Sequence, residues 1–307
     1  MGRVARCLGD DRLSIWYAPP APHLARYITA YDAYEARLAP GEQRADVFPP
    51  AWAAIRFCSR PVNWGVRIGR RQFDPGPPDA LFGPTSHAGL SRFEAGRMIG
   101  AGLTPLGWAR FIGRDAWRFA DRVTSLDSIW PERAGRLRAA LEAADDPAAA
   151  FDGFFTDLLA RTEPEEEAVG RLFPLLLDPG VVGIGDLVER MGMAQRPLAR
   201  VSTTHFGFTP KLLLRRARFM RALVRMLQVE RGGWKELVVA AGYHDQSHFV
   251  RDCQLFLDMP MSAFVRRPKP LFETSLRLRA AVLGTAAQAL HPLEEPTMSN
   301  AARSTRG

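Results

Sequence analysis

The chain is poor in cysteine. Only Cys7, Cys58 and Cys253 occur in 307 residues, and no two of them form a CxxC pair. That spacing argues against a disulfide framework or a thiolate zinc site and suits a reducing cytoplasm. Long apolar runs are missing too: nowhere do 18 apolar residues follow one another, so no segment is expected to span a membrane. Met1-Gly2-Arg3-Val4-Ala5-Arg6 leads into Asp10-Asp11 and not into an apolar stretch, so a signal peptide is not expected. Catalytic signatures are absent as well. There is no GxSxG elbow, and the 6 histidines are scattered. Gly183-Ile184-Gly185 lacks the third glycine of a dinucleotide loop. His244 and His248 have i, i+4 spacing, but Asp245 stands where a zinc protease needs Glu, and no third ligand is nearby. No cofactor and no metal are expected.

What is present is enough material for packed domains. The length is a soft prior for two domains, and 47% hydrophobic residues can build real cores. The net charge is +8, and its location is informative. Between Asp178 and Pro270 there are fifteen Lys/Arg against eight Asp/Glu, a net +7, which leaves only +1 for the rest. Charge confined to one segment points to a polyanionic partner for that segment.

The same segment contains a repeat. Ile184, Leu187, Val188 and Met191 fall at i, i+3, i+4 and i+7, one face of a helix, and Gly192 follows as a breaker. Trp234, Leu237, Val238 and Ala241 repeat the stripe, followed by Gly242. Leu187 and Gly192 lie 50 residues before Leu237 and Gly242, whereas Leu198 and Arg200 lie 51 before Phe249 and Arg251, so the second turn is one residue longer. Asp245 suits the N-cap of a helix opening at Gln246. Two short helices joined by a Gly turn make a helix-turn-helix, whose second helix commonly enters a DNA major groove. Between the repeats, Thr209 and Pro210 open a longer helix, with Leu213, Ala217, Met220, Val224 and Leu227 along one side. Lys211, Arg215, Arg218, Arg221 and Arg225 lie on its other faces.

Gly242-Tyr243-x-Asp245-Gln246-Ser247-His248-Phe249-x-Arg251, together with Gly207-Phe208-Thr209-Pro210-Lys211, resembles the AraC/XylS-type transcription regulators over roughly residues 182–267. The chain departs from that family at four places. Ser202 and Cys253 stand where an aromatic is usual on the inner face of each recognition helix. Ala194 replaces a Ser cap, and Pro260-Met261 replaces a late Ser-Pro. The resemblance implies a sequence-specific DNA-binding regulator, responsive to an effector. It implies that the second recognition helix makes more backbone than base contacts. Gly102 to Trp108 is similar, more weakly, to a stretch that closes the sensor domain in some members.

Residues 1–105 read as strand-rich. Ala54–Cys58 and Trp64–Ile68 alternate, with Pro61-Val62-Asn63 as a turn; Ala80–Phe82 and Met98–Leu103 are further short apolar runs. An early helix is expected near His23 to Tyr34. Six of the 7 tryptophans lie within the first 130 residues, as core packing or as the wall of an effector pocket. From Leu106 to Leu177 the pattern turns helical. Pro131, Pro147 and Pro164 are expected to open three helices, and Asp178-Pro179-Gly180 to end the last. These helices carry a dimer interface or simply pack on the sensor. A basic helix is expected over Phe272 to Ala287, and disorder from His291 onward.

The expected fold class is therefore α+β, with a mostly β sensor-like N-terminal domain carrying helices and an all-α tandem helix-turn-helix C-terminal domain. The expected units are 1–125 (sensor or dimerisation), 126–177 (helical connector), 178–270 (tandem helix-turn-helix) and 271–307 (short helix and tail). Arg donates two hydrogen bonds to guanine, so Arg196 and Arg200 are the base-reading candidates, with Gln195, Ala199 and Thr203 on the same helix. Gln246, Ser247, His248, Val250 and Arg251 form the outward set of the second. Lys211 and Arg215 are candidate phosphate contacts. The expected partners are double-stranded DNA, with RNA polymerase, a small-molecule effector and a second copy of the chain as further candidates. The alternative is an enzyme whose N-terminal half is catalytic and whose C-terminal domain is a DNA tether. His23, Asp32, Glu35 and His87 are the titratable residues it would need, and their spacing assigns them no role.

Overall fold

The computed structural model describes residues 6–60, 63–228, 234–243 and 245–292. Among the described residues the N-terminal part has eleven strands, the last of them after a short helical stretch: β1 (Arg6–Gly9), β2 (Leu13–Ala18), β3 (Ile28–Ala36), β4 (Arg44–Phe48), β5 (Ala54–Arg60), β6 (Trp64–Ile68), β7 (Arg71–Phe73), β8 (Asp79–Phe82), β9 (Gly89–Phe93), β10 (Gly96–Leu103) and β11 (Val123–Ser125). They form a seven-stranded sheet in the order β1-β2-β3-β10-β5-β8-β11 and a four-stranded sheet β4-β9-β6-β7, antiparallel throughout. The alternating runs Ala54–Cys58 and Trp64–Ile68 are strands, but they belong to different sheets. The expected turn between them falls at Pro61-Val62, outside the described residues.

One expectation fails outright. Instead of a helix over His23 to Tyr34 there is a single 3-10 turn, Pro22–Leu24, followed by β3. β3 lies inside the large sheet, and Ile28, Thr29, Ala30, Tyr31, Asp32 and Ala33 are all buried. A strand covered on both faces loses the alternation that distinguishes it from a helix.

The short turn α1 (Pro105–Gly107) leads to α2 (Arg133–Ala143), α3 (Pro147–Arg161) and α4 (Glu167–Leu177). Asp146 caps α3, accepting from the Ala148 backbone N–H at 2.9 Å. The other two prolines do not open their helices. Pro131 precedes α2, and Pro164 lies in an extended stretch where Glu165 pairs with Arg26 at 3.1 Å and accepts from the Tyr27 hydroxyl. These helices cover the outer face of the large sheet. Tyr31 of β3 stacks on Phe151 of α3, centroids 4.8 Å apart, and its hydroxyl donates to buried Asp152 at 2.8 Å.

The C-terminal half is helical: α5 (Ile184–Met191), α6 (Gln195–Phe206), α7 (Pro210–Gln228), α8 (Trp234–Ala240), α9 (Gln246–Leu257), α10 (Met261–Arg266) and α11 (Pro270–Leu283). α11 starts two residues and ends four residues earlier than expected, because Pro270 opens it and Gly284, in the left-handed region (φ 67°), closes it. It then folds back onto the sheets. Asp46 of β4 accepts from the Leu271 and Phe272 backbone N–H groups (2.8 and 3.3 Å), and Leu271 and Leu278 share a core with Ile15 and Tyr17. The expected disorder from His291 is overturned at its start. His291 is buried, and that burial, with the Arg279 cation nearby, lowers its imidazole pKa to about 3. Residues 293–307 lie outside the described residues. Among the described residues no helix is long and apolar enough to cross a membrane.

Candidate nucleic-acid interface and interior cavity

Both sequence repeats fold as helix pairs. Gly192 ends α5 at φ 60° and Gly242 follows α8 at φ 83°, left-handed values at which a side chain would be strained. Leu187, Met191 and Leu198 are buried in the first unit, and Val238, Tyr243 and Phe249 in the second. Asp186 accepts from the Val182 and Gly183 backbone N–H groups (2.7 and 3.0 Å) and fixes the entry to α5. Asp245 caps α9, accepting from the His248 N–H at 2.7 Å. Ala194, at the matching place before α6, makes no side-chain cap.

The departures from the aromatic pattern are accommodated differently. Ser202 is fully buried, and its hydroxyl donates to the Phe208 carbonyl at 2.7 Å, tying α6 to the loop before α7. Cys253 is buried among apolar neighbours, which pushes its thiol up to about 12, so it is an inert filler.

The candidate DNA contacts divide into two groups. Gln195, Arg196 and Arg200 are exposed on α6 and Gln246, Ser247 and Arg251 on α9, with no side-chain hydrogen bond or ion pair engaging them among the described residues. Lys211 and Val250 are exposed, and Ala199 is half-buried. The second group is committed within the protein. The Thr203 hydroxyl bonds back to the Ala199 carbonyl at 2.9 Å. The Arg215 Nε pairs with Asp252, which is wholly buried and also accepts from the Tyr243 hydroxyl at 2.7 Å. His248 sets its ring edge-on to Tyr243 and lies 3.4 Å from the Arg218 Nη2, while Arg218 stacks on Tyr243 at 4.7 Å. Much of the basic stripe on α7 is therefore structural: Arg221 also donates to the Leu177 carbonyl and Arg225 to the Ala240 carbonyl. His244 lies outside the described residues.

Sequence reasoning missed Arg216. It is 2% exposed and leaves α7 toward the N-terminal domain, where its guanidinium lies 3.9 Å over the Trp52 ring. Its Nη1 donates to the Thr85 carbonyl at 2.7 Å and the Ala51 carbonyl at 3.3 Å. Burial lowers its pKa to about 9, and the Asp121 carboxylate works against that shift. Its residue type does not distinguish it in a helix rich in arginine; the one signal is positional, since Arg216 neighbours Ala217 and lies three residues before Phe219, on the buried arc.

A cavity of about 260 Å³ lies between the two sheets. Phe48, Trp64, Val66 and Phe82 give it apolar walls, and Met220 of α7 and Phe272 of α11 close it from the C-terminal half. Both sheets also give it polar groups, Ser91 and Arg92 from the small one and Asp32, Tyr34 and Arg56 from the large one. Asp32 pairs with Arg56 (2.9 Å), and the Tyr17 hydroxyl bonds to both Tyr34 and Ser275 at 2.8 Å. Burial raises the Asp32 carboxyl against the pull of Arg56 and Arg279. Of the tryptophans, Trp52, Trp108 and Trp130 are core, while Trp64 is both buried and part of the cavity wall.

Residues 187–267 match the model of a helix-turn-helix domain family. The C-terminal region is thus a helix-turn-helix DNA-binding domain, and its tandem arrangement is of the AraC type. No curated relative matches the chain. Among solved structures the chain is similar to ToxT from Vibrio cholerae, at 9% identity and a TM-score of 0.42, covering 76% of this chain and 97% of that one. It is also similar to the AraC-like transcriptional activator CuxR, at 12% identity and a TM-score of 0.30, covering 71% and 86%. At such scores neither likeness carries weight; the helix-turn-helix geometry and the matched family do.

Proposed function

We propose that the protein is a cytoplasmic, sequence-specific regulator of transcription whose DNA affinity or geometry responds to a small molecule held between its sheets. The observation that carries this reading is a pair of helix-turn-helix units with exposed Arg and Gln side chains on the N-terminal half of each recognition helix. Arg196 and Arg200 read base edges, whereas Gln246, Ser247 and Arg251 hold the backbone. Lys211 adds a phosphate contact. His248, Thr203 and Arg215 act by fixing the units instead of touching DNA. The effector unit is 1–125 and the connector 126–177; α11 and the residues to 292 clasp the DNA-binding part to the sheets. RNA polymerase and a second copy of the chain are the protein partners of this reading.

Binding is driven by release of counterions from the duplex, so it weakens steeply with salt. A gel-shift titration with the full chain and a selected operator tests this. Arg200→Ala is expected to relax preference at one base pair, at a cost of about 1–3 kcal/mol. Loss of affinity that is uniform across all sequences would assign Arg200 to phosphate instead.

A further inference from the structure

The cavity holds one charged group whose hydrogen-bond donors are left partly unfilled among the described residues. Arg279 of α11 is 5% exposed and lines the cavity. Its Nε and Nη2 are buried with no hydrogen-bond partner among the described residues. One face of the guanidinium lies 5.6 Å from the Tyr17 ring, which attracts the cation but leaves its N–H donors unfilled. The other buried charges nearby are already matched, since Asp32 and Arg56 form a pair of their own. The Ser275, Tyr17 and Tyr34 hydroxyls likewise bond to one another. Asp32, Arg56 and Arg279, the most deeply buried charges of the lining, therefore sum to one surplus positive charge. A buried guanidinium with open donors is a costly arrangement unless something fills them.

We propose that the cavity binds a carboxylate with an apolar body, and that Arg279 receives the carboxylate. This rests on the reading of the cavity as the effector site and names the class of effector. A planar carboxylate matches the guanidinium fork with two parallel hydrogen bonds. A single negative charge balances the surplus; a dianion such as a phosphate monoester would leave a second one buried beside Asp32. The remainder of the ligand meets Phe48, Trp64, Val66 and Phe82. A cavity of about 150 Å³ takes benzene, so this one takes a body on the order of a dozen non-hydrogen atoms.

The position of Arg279 gives the ligand a route to the DNA-binding half. α11 follows the second helix-turn-helix unit after the short α10, and its Phe272 and Leu276 share a core with Phe256 of α9 and Phe264 of α10. A carboxylate drawn onto Arg279 joins the sheets to α11, and through that core to α9.

The test uses the full chain and calorimetric titration with phenylbutyrate, phenylbutanol and phenylbutylamine, which share one apolar body and differ in charge. The acid is expected to bind about thirtyfold more tightly than the alcohol, the size of a charge-assisted pair, and the amine to bind more weakly still. Arg279→Gln is expected to bind acid and alcohol alike. Arg279→Lys, which keeps the charge but loses the fork, is expected to prefer the acid with reduced affinity. Circular dichroism confirms folding of each variant. The inference is overturned if the wild type fails to bind the acid, if acid and alcohol bind equally, or if folded Arg279→Gln discriminates as the wild type does. Gel shifts without any probe, run in parallel, separate the two readings: acid binding with no operator binding would sink the regulator and leave the ligand class standing.

Discussion

The two helix-turn-helix units share a turn geometry and differ in what holds them. In the first, Leu187, Met191, Leu198, Val201 and Phe206 belong to the same apolar core as the large sheet and α2–α4. Phe206 lies edge-on to Trp52 of the N-terminal domain, centroids 6.1 Å apart, and packs on Phe173 of α4. Gly207, at φ 85°, passes so close to Pro84 that a Cβ there would meet the proline Cγ at 2.7 Å. The second unit instead has a cap, the polar network Arg215–Asp252–Tyr243, and an aromatic stack of Phe219 on Phe249 and Phe256. The N-terminal domain reaches that unit through Val47, Phe48, Ala88 and Leu90, through the Ala88 N–H donating to the Phe256 carbonyl (2.7 Å) and through His87, 3.1 Å from Asp258. One unit is thus set in place by the N-terminal domain, and the other largely by its own interior and by α11.

Substitutions can widen or erase that contrast. The largest effect is expected from Phe206→Ala, which empties a space between two domains at a cost of about 3–5 kcal/mol. Urea unfolding followed by tryptophan fluorescence should show the sheet and the first unit losing stability together; loss confined to the helices would break the comparison.

Next comes the support of the second unit through Asp46. Burial raises this carboxyl to about 7 from an ordinary 3.8, outweighing the backbone N–H groups of α11 that favour its charged form. Because the folded pKa is the higher one, Asp46 contributes stability that is full below about pH 4 and lost as pH rises to about 7. By linkage the loss is on the order of 3–4 kcal/mol. The measurement is the pH dependence of stability in the wild type minus that in Asp46→Asn. Hydrogen exchange should place the loosening in α9–α11 and leave α5 and α6 protected.

A smaller loss, roughly 2 kcal/mol, is expected for Arg215→Met, which leaves Asp252 buried without its cation. Exchange in α9 should rise while α6 is unchanged. The smallest effects are at the caps. Asp245→Ala is expected to cost about 1 kcal/mol and Ala194→Ser to gain a similar or lesser amount, both read as shifts in the urea midpoint. If the serine stabilises nothing, the N-terminal domain and not the cap limits the first unit.

The sequence made the helical half legible because each turn carries its own punctuation. Gly192, Gly242, Asp245 and Pro210 act on their immediate neighbours, and a local pattern suffices to place them. β3 was illegible for the opposite reason, since Tyr31 and Asp32 owe their burial to helices more than a hundred residues away. Arg215 and Arg216 show the same limit within one helix. Composition marks both as basic, and only the tertiary packing decides that neither is a free surface charge.

That adjacency has a mechanical outcome. Successive residues of an α-helix point about 100° apart, so Arg215 and Arg216 grip the second unit and the N-terminal domain from two sides of one shaft. Turning α7 far enough to free either grip displaces the other. Any reorientation of one recognition helix relative to its twin must therefore be negotiated with the β-sandwich, and the shaft cannot idle.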